Sequence, residues 1–329
     1  MFLQDKSNKN QRVYSWCAVL KRRLDYICFM IQRNGHYDFK QQILKEYQNC
    51  QQQRNYRNPV ELRKVLRKAE DKDVCIISRI AVSVTNQCSL RCKDCNNLMP
   101  YCKERFTIDV EDQIQDIKKI LSYTDEIINV EIIGGEPFAY QQLPELLKYV
   151  CSETKIRFVE VTTNGTILPG KDIMELLSDS KICVLISDYG KVNSEKAKRV
   201  YKYFRENQIC VKNLRNTKWI ASGGIENRKK SRWTLNYEYF HCFARKDCRT
   251  LYKGKLYVCG RAPILDELGL LKDESSFLNI RNMRSKKEDG KRQLNNFYMN
   301  KYAECCNYCD YSSDKVCHIE SGIQVPINQ

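Results

Sequence analysis

Three cysteines, Cys88, Cys92 and Cys95, lie within Thr85-Asn-Gln-Cys-Ser-Leu-Arg-Cys-Lys-Asp-Cys95 and put three thiols on one short loop. Three thiolates can each hold one iron of a 4Fe-4S cubane and leave the fourth iron open to an outside ligand. A structural zinc ion wants four ligands, and no second C-x2-C pair of suitable spacing is nearby to partner this one, although Cys102 could serve as a fourth. Downstream, Ile132-Ile-Gly-Gly-Glu-Pro137 offers two glycines that let a ligand approach the backbone, then a carboxylate that can meet an ammonium group. An unpaired charge at the end of an apolar strand is costly, so Glu136 needs a cation from a neighbouring strand or from a ligand.

Thr162-Thr-Asn-Gly-Thr166 supplies hydroxyl and amide groups suited to a ribose or carboxylate, with an ordinary Asn-Gly turn as the plainer reading. In Ser187-Asp-Tyr-Gly190, Asp188 or Tyr189 could take a proton or hold a substrate hydroxyl, and Asp188 is as well suited to capping. Seven cysteines then fall between Cys242 and Cys317. The stretch from Cys248 to Cys259 alternates like a hairpin about Lys253-Gly254, with a thiol at each base, and Cys306 and Cys309 form a close pair. These four read as one further cluster, or as a zinc site, with Cys242, Cys305 and Cys317 as alternative ligands or spares. Cys17, Cys28, Cys50, Cys75, Cys151, Cys183 and Cys210 have no ligand spacing and read as packing residues. His36, His241 and His318 are too few and too scattered for an imidazole site.

These residues need strands and loops to hold them. From Ile76, short apolar runs alternate with helical stretches, the pattern of repeated βα units on a parallel sheet. Strands are predicted over residues 79–85, 129–133, 157–162, 182–187 and 208–213, with a sixth near Lys218, and helices over 108–123, 141–151, 171–178 and 194–207. Such a sheet can curve into a partial barrel whose chemistry sits at the ends of its strands. Each motif above falls at such an end. Residues 1–75 read as a basic helical extension: Val13, Trp16, Cys17, Leu20, Leu24, Ile27 and Ile31 recur at helical steps, and Pro59 opens a later helix. The expected division is 1–75, a core over 76–239, and a cysteine-rich module over 240–329.

Cys88, Cys92, Cys95 and Gly134 to Pro137 resemble the radical S-adenosylmethionine (SAM) superfamily over roughly Arg79 to Asn213. The resemblance implies an α/β partial (βα)6 barrel. SAM would chelate the open iron, with Gly134, Gly135, Glu136 and Pro137 at its methionyl end and Thr163 and Asn164 on its nucleoside side. It implies reductive cleavage of SAM to methionine and a 5′-deoxyadenosyl radical that takes a hydrogen atom from substrate, with a flavodoxin- or ferredoxin-type electron donor. Lys93 departs from the pattern, since many members carry an aromatic residue there. The downstream cysteines look like the twitch or SPASM extensions of this superfamily and imply one auxiliary 4Fe-4S cluster on Cys248, Cys259, Cys306 and Cys309.

Composition sets the surroundings. Of 329 residues, 42% are hydrophobic and 29% charged, a globular balance. Lys and Arg exceed Asp and Glu by 56 to 40, and half of the +16 excess falls in residues 1–75. No signal peptide or apolar run of spanning length is visible, so a reducing cytoplasm is the expected location. The expected substrate is a carbohydrate-type small molecule undergoing oxidation or modification, with a ribosomally made peptide as the alternative. A zinc-stabilised nucleic-acid binder would leave Gly134 to Pro137 and the βα alternation without a role, so no nucleic-acid partner is expected. A two-cluster electron carrier would explain the thiols but not the strand ends, and a membrane-associated assembly factor rests on the N-terminal helix alone.

Overall fold

Five short apolar runs form five parallel strands: β1 (Ile76–Ser83), β2 (Glu126–Ile133), β3 (Ile156–Thr163), β4 (Ile182–Asp188) and β5 (Val211–Arg215). They lie side by side in the order β5-β4-β3-β2-β1. In this computed structural model the residues described are 39–54, 59–71, 73–102, 104–247, 249–311 and 316–325. The periodic positions from Val13 to Ile31 and the ligand candidate Cys248 lie outside them. Ile132 pairs with Val82 on one side and Val161 on the other, and Val161 pairs with Val184, so the carboxyl ends of β1 to β4 finish in register.

The helices are α1 (Phe39–Gln53), α2 (Pro59–Glu70), α3 (Val110–Tyr123), α4 (Leu143–Ser152), α5 (Lys171–Leu177), α6 (Ser194–Glu206) and α7 (Arg232–His241). Ile117, Leu147, Leu177 and Val200 of α3 to α6 pack with Val82, Ile132, Val161 and Val184 in one apolar core. Asp109 caps α3 by accepting from Glu111 N at 2.9 Å, which satisfies one of the donors a helix start leaves open. Ile43, Tyr47 and Cys50 of α1 pack with Ile76, Ile128 and Phe158 in a second cluster. A sheet covered on both faces reads as near-continuous apolar runs. That cover also explains why β1 and β2 begin three residues before the predicted starts.

The strand near Lys218 forms as β6 (Lys218–Ile220), but it leaves the sheet and pairs antiparallel with β10 (His318–Glu320). The other edge of the sheet is extended instead. β7 (Thr250–Tyr252) runs parallel to β1, with Leu251 opposite Val82, then β8 (Lys255–Tyr257) and β9 (Phe277–Asn279) follow antiparallel. Lys253 and Gly254 both have positive φ, 43° and 75°, the backbone a two-residue hairpin requires. The cysteine-bearing hairpin is therefore continuous with the central sheet. Among the described residues no helix is long and apolar enough to cross a membrane.

On one face of the sheet the runs are interrupted by charge. Arg79 Nη2 lies 2.7 Å from Glu131 and 2.7 Å from Glu160, and Nη1 lies 3.8 Å from Glu46 of α1. Asn129 donates to Glu46 and Thr162 donates to Glu131, each at 2.7 Å. Burial pushes the Glu160 carboxyl up to about 7, although Arg79 opposes this. Such a carboxyl keeps its proton in the folded chain after the unfolded chain has lost it, so its contribution weakens stability as pH rises from the ordinary carboxylate range to about 7. Arg79→Met leaves three carboxylates around a missing cation and is expected to cost about 3–5 kcal/mol. The deficit should be larger at pH 8 than at pH 5.5, where protonation relieves the repulsion. Urea unfolding at the two pH values measures it, and equal deficits would show that the carboxylates do not depend on Arg79.

Candidate active site

The cysteine loop leaves β1 and is fastened across the end of β2 by backbone alone. Gly135 N donates to Thr85 O and Glu136 N to Gln87 O, each at 2.7 Å. A Cβ on Gly134 would stand 2.5 Å from Thr85 O, and one on Gly135 would overlap Gln87 O. The two glycines, expected to admit a ligand, thus first admit the cysteine loop itself, since any side chain would hold the strands apart. Asn86 clamps the other side of the loop, donating to Glu104 O at 2.7 Å and accepting from Phe106 N at 2.8 Å.

The three thiols each receive N–H donors. Cys88 Sγ accepts from Leu90 N at 3.4 Å and Asn164 Nδ2 at 3.5 Å, and Cys92 Sγ from Gln324 Nε2 at 3.2 Å. The backbone N–H groups of Asn97, Leu98 and Met99 lie near Cys95 and act to lower its thiol. Burial pushes Cys88 up to about 12 and Cys92 up to about 11, and raises Cys95 as well. Without a metal these thiols stay protonated at neutral pH, so loading iron must release protons. All three line a cavity of about 550 Å³ whose other wall is Gly134, Gly135 and Thr162 to Asn164. Thiols provided with N–H donors, facing strand ends across a space of that size, fit a three-cysteine cluster and one nucleoside-sized cofactor. Cys102 does not line this space and packs against the apolar core.

Other expected site residues are placed differently. Glu136 has 0% exposure and meets no cation among the described residues. Its oxygens accept from Thr163 Oγ1 at 2.7 Å, Asn164 N at 2.8 Å and Phe138 N at 3.1 Å. It stands behind the cavity wall, where burial raises its carboxyl and these three donors lower it. Pro137 is buried at the start of a 3-10 turn, Pro137–Ala139. Thr163 and Asn164 line the cavity, with Asn164 Nδ2 turned towards Cys88 and Ser89. Asp188 is buried and does not reach the cavity; it accepts from Gly190 N at 2.9 Å and Ser194 Oγ at 3.1 Å, which closes a turn within its own loop rather than capping a helix. Tyr189 does line it, edge-on to Trp219 at 5.0 Å, and burial drives its phenol far above neutrality, so the hydroxyl keeps its proton at neutral pH.

Asn216, Lys218, Trp219 and His318 also line the cavity, none of them expected from sequence. His318 is exposed and stands at the rim. A basic-aromatic pair directly after the fifth strand was the only available signal, and β6 carries it into the site by leaving the sheet.

A second thiol group sits on the far side of the cysteine loop. Cys242, Cys259, Cys306 and Cys309 raise one another's thiols electrostatically, and Cys305 acts on both Cys259 and Cys306. Cys242 and Cys305, both alternatives in the sequence, stand close enough to Cys259 and Cys306 for their charges to interact. Gly260 abuts Asn97 so closely that a Cβ would overlap its carboxamide. Arg261 Nη2 donates to Gly223 O, Gly224 O and Tyr308 O at 2.8–2.9 Å, while its buried Nε has no hydrogen-bond partner among the described residues. Its charge lowers both Cys95 and Cys309. An orphaned guanidinium donor beside buried thiols fits an anionic metal–sulfur group. A zinc ion would need sulfurs about 3.8 Å apart. Among the described residues no three Cys, His, Asp or Glu side chains converge on a single ion.

Glu136→Ala removes the acceptor of three buried donors. In the metal-free protein it is expected to cost about 2–4 kcal/mol, since each orphaned group forfeits roughly 1–3 kcal/mol, partly relieved by relaxation. Chemical denaturation measures the loss, and a stability equal to that of the unsubstituted chain would reassign Glu136 to the ligand.

Residues 82–217 match the radical SAM superfamily. The antilisterial bacteriocin subtilosin biosynthesis protein AlbA of Bacillus subtilis is 33% identical over 113 residues, 34% of this chain and 24% of AlbA. GTP 3′,8-cyclase 1 of Mycobacterium tuberculosis is 31% identical over 108 residues, 30% of this chain and 29% of the cyclase. Each match spans less than a third of the relative's length. The crystal structure of BtrN in complex with AdoMet and 2-DOIA covers 73% of this chain and 95% of BtrN, at 14% identity and a TM-score of 0.45. The cysteine loop, the strand ends facing it and the matched segment are one and the same region, and the chain carries a radical SAM superfamily domain, of the family that uses a 4Fe-4S cluster and SAM.

Proposed function

We propose that this protein is a radical SAM enzyme that oxidises or otherwise modifies a carbohydrate-type small molecule with the help of one auxiliary cluster. One observation carries the reading: three thiols supplied with N–H donors share a single cavity with the ends of β2 and β3. Cys88, Cys92 and Cys95 would hold the cluster, and the backbone at Gly134 and Gly135 with Thr162 to Asn164 would hold SAM. When bound, these groups supply reductive cleavage to methionine and a 5′-deoxyadenosyl radical that abstracts hydrogen. Tyr189 and Trp219 wall off the space beside the thiols and limit the access of water to it. Asn97, Asn216, Ser222, Lys218 and His318 bring amide, hydroxyl, ammonium and imidazole groups to the same cavity as two aromatic faces, a lining suited to a polyol.

The auxiliary ligand set on this reading is Cys242, Cys259, Cys306 and Cys309, and it suits a net oxidation in which a substrate radical gives up an electron. A flavodoxin- or ferredoxin-type donor would supply the first electron. A second reading, modification of a ribosomally made peptide, draws on the similarity to AlbA, whose name refers to bacteriocin biosynthesis. The similarity to a GTP cyclase at nearly the same identity favours a small molecule equally.

Anaerobic reconstitution with iron and sulfide is expected to load about two cubane clusters, and changing Cys88, Cys92 and Cys95 together to Ala should remove one and abolish 5′-deoxyadenosine formation. Tightly bound zinc without sulfide-bridged iron would sink the proposal. Cys242→Ala should lower auxiliary occupancy and substrate turnover while sparing basal SAM cleavage. If iron content is unaffected by that change, Cys242 is not a ligand.

A further inference from the structure

The segment from Val316 to Val325 passes the rim of the cavity at His318 and reaches the cysteine loop. After β10 has paired with β6, Ser321 N donates to Thr217 O at 3.2 Å. Gly322, at φ 70°, then turns the chain against Tyr189. The next residues join the loop as a short antiparallel bridge: Lys93 N donates to Ile323 O at 2.7 Å, Val325 N to Arg91 O at 2.8 Å, and Gln324 lies opposite Cys92. Within this bridge the Gln324 side chain folds back onto the loop. Its Oε1 accepts from Arg91 N at 2.7 Å, and its Nε2 donates to Gly322 O at 2.5 Å and to Cys92 Sγ at 3.2 Å. These three partners settle which end of the carboxamide is which, because a flipped group would set an oxygen against a carbonyl oxygen and an amide nitrogen against an N–H.

We propose that Gln324 is a positioning residue of the cofactor site, which donates to the Cys92 thiolate and thereby raises the reduction potential of the cluster held by Cys88, Cys92 and Cys95. The inference rests on the reading that these three cysteines hold a cluster. Reduction adds negative charge to the cluster and its sulfurs, so a donor aimed at one sulfur stabilises the reduced form more than the oxidised form. Cys88 takes a backbone donor from Leu90 and a side-chain donor from Asn164 at the end of β3, whereas Cys92 takes its donor from a side chain 232 residues away. The potential is thereby tied to the seating of the 316–325 segment, which also forms one rim of the cavity through His318.

Two variants of the full chain separate this role from simple bracing. Gln324→Leu removes every side-chain contact. Gln324→Glu keeps an oxygen for Arg91 N and replaces the donor with an anionic oxygen facing the sulfur. After anaerobic reconstitution, iron and sulfide are counted, and a redox titration follows the paramagnetic signal that added SAM perturbs, which identifies the cluster of this site. Gln324→Leu is expected to load iron and to shift the reduction equilibrium about tenfold towards the oxidised form, ~59 mV for one electron. Gln324→Glu should shift it further in the same direction. Unchanged potentials in both variants overturn the proposal. So does a shift in Gln324→Leu alone, which would reduce Gln324 to a brace for Arg91. If the unsubstituted protein loads no cluster that SAM perturbs, the reading beneath the proposal fails instead, and the proposal with it.

Discussion

Everything at the site depends on residues 85–87 crossing the end of β2 at hydrogen-bonding distance. Two backbone bonds of 2.7 Å, from Gly135 N to Thr85 O and from Glu136 N to Gln87 O, hold the cysteine loop over the sheet. They form only because neither Gly134 nor Gly135 carries a Cβ. The same crossing places Glu136 behind the cavity, where it receives Thr163 and Asn164 from the next strand. Asn164 then reaches back to Cys88. Loop, β2 and β3 are closed into a ring of hydrogen bonds, and the cavity is the space this ring leaves open.

Beneath that ring the sheet carries a chain of polar contacts in place of an apolar filling. It runs from Glu46 of α1 through Arg79 and Glu131 to Thr162, which lines the cavity itself. One guanidinium serves three carboxylates, and the protonation of Glu160 near neutrality eases the imbalance. A buried network of this kind is sensitive to the loss of any member. The floor of the site is thus coupled to the seating of α1, a helix outside the matched family segment.

The two thiol groups are neighbours through Arg261. Its bonds go to three carbonyls, and its charge acts on Cys95 and Cys309 alike. A buried cation with no carboxylate partner among the described residues is costly unless an anionic group lies nearby. Metal–sulfur groups on both sides would supply that charge and would share a single guanidinium, so their electrostatics would not be independent.

The sequence by itself determined the chemistry of the domain and the order of its elements. Cys88, Cys92 and Cys95, the Gly134 to Pro137 strand end and the βα alternation are local patterns, and the strands appear where apolar runs predicted them, to within a few residues. Tertiary structure decided the rest, because it depends on contacts between distant segments. Glu136 was expected to meet a ligand and instead caps β3, since burial behind the cysteine loop leaves only N–H and O–H donors within reach. Asp188 is turned into its own loop by Gly190 and Ser194. β6 left the sheet for β10, which no periodicity of three residues could announce, and so brought Trp219 and His318 to the cavity. Gln324 reaches Cys92 across 232 residues, and Cys242 joins Cys259 only when α7 meets the hairpin. Spacing along the chain reports which residues can act together on one loop, and folding alone reports which loops meet.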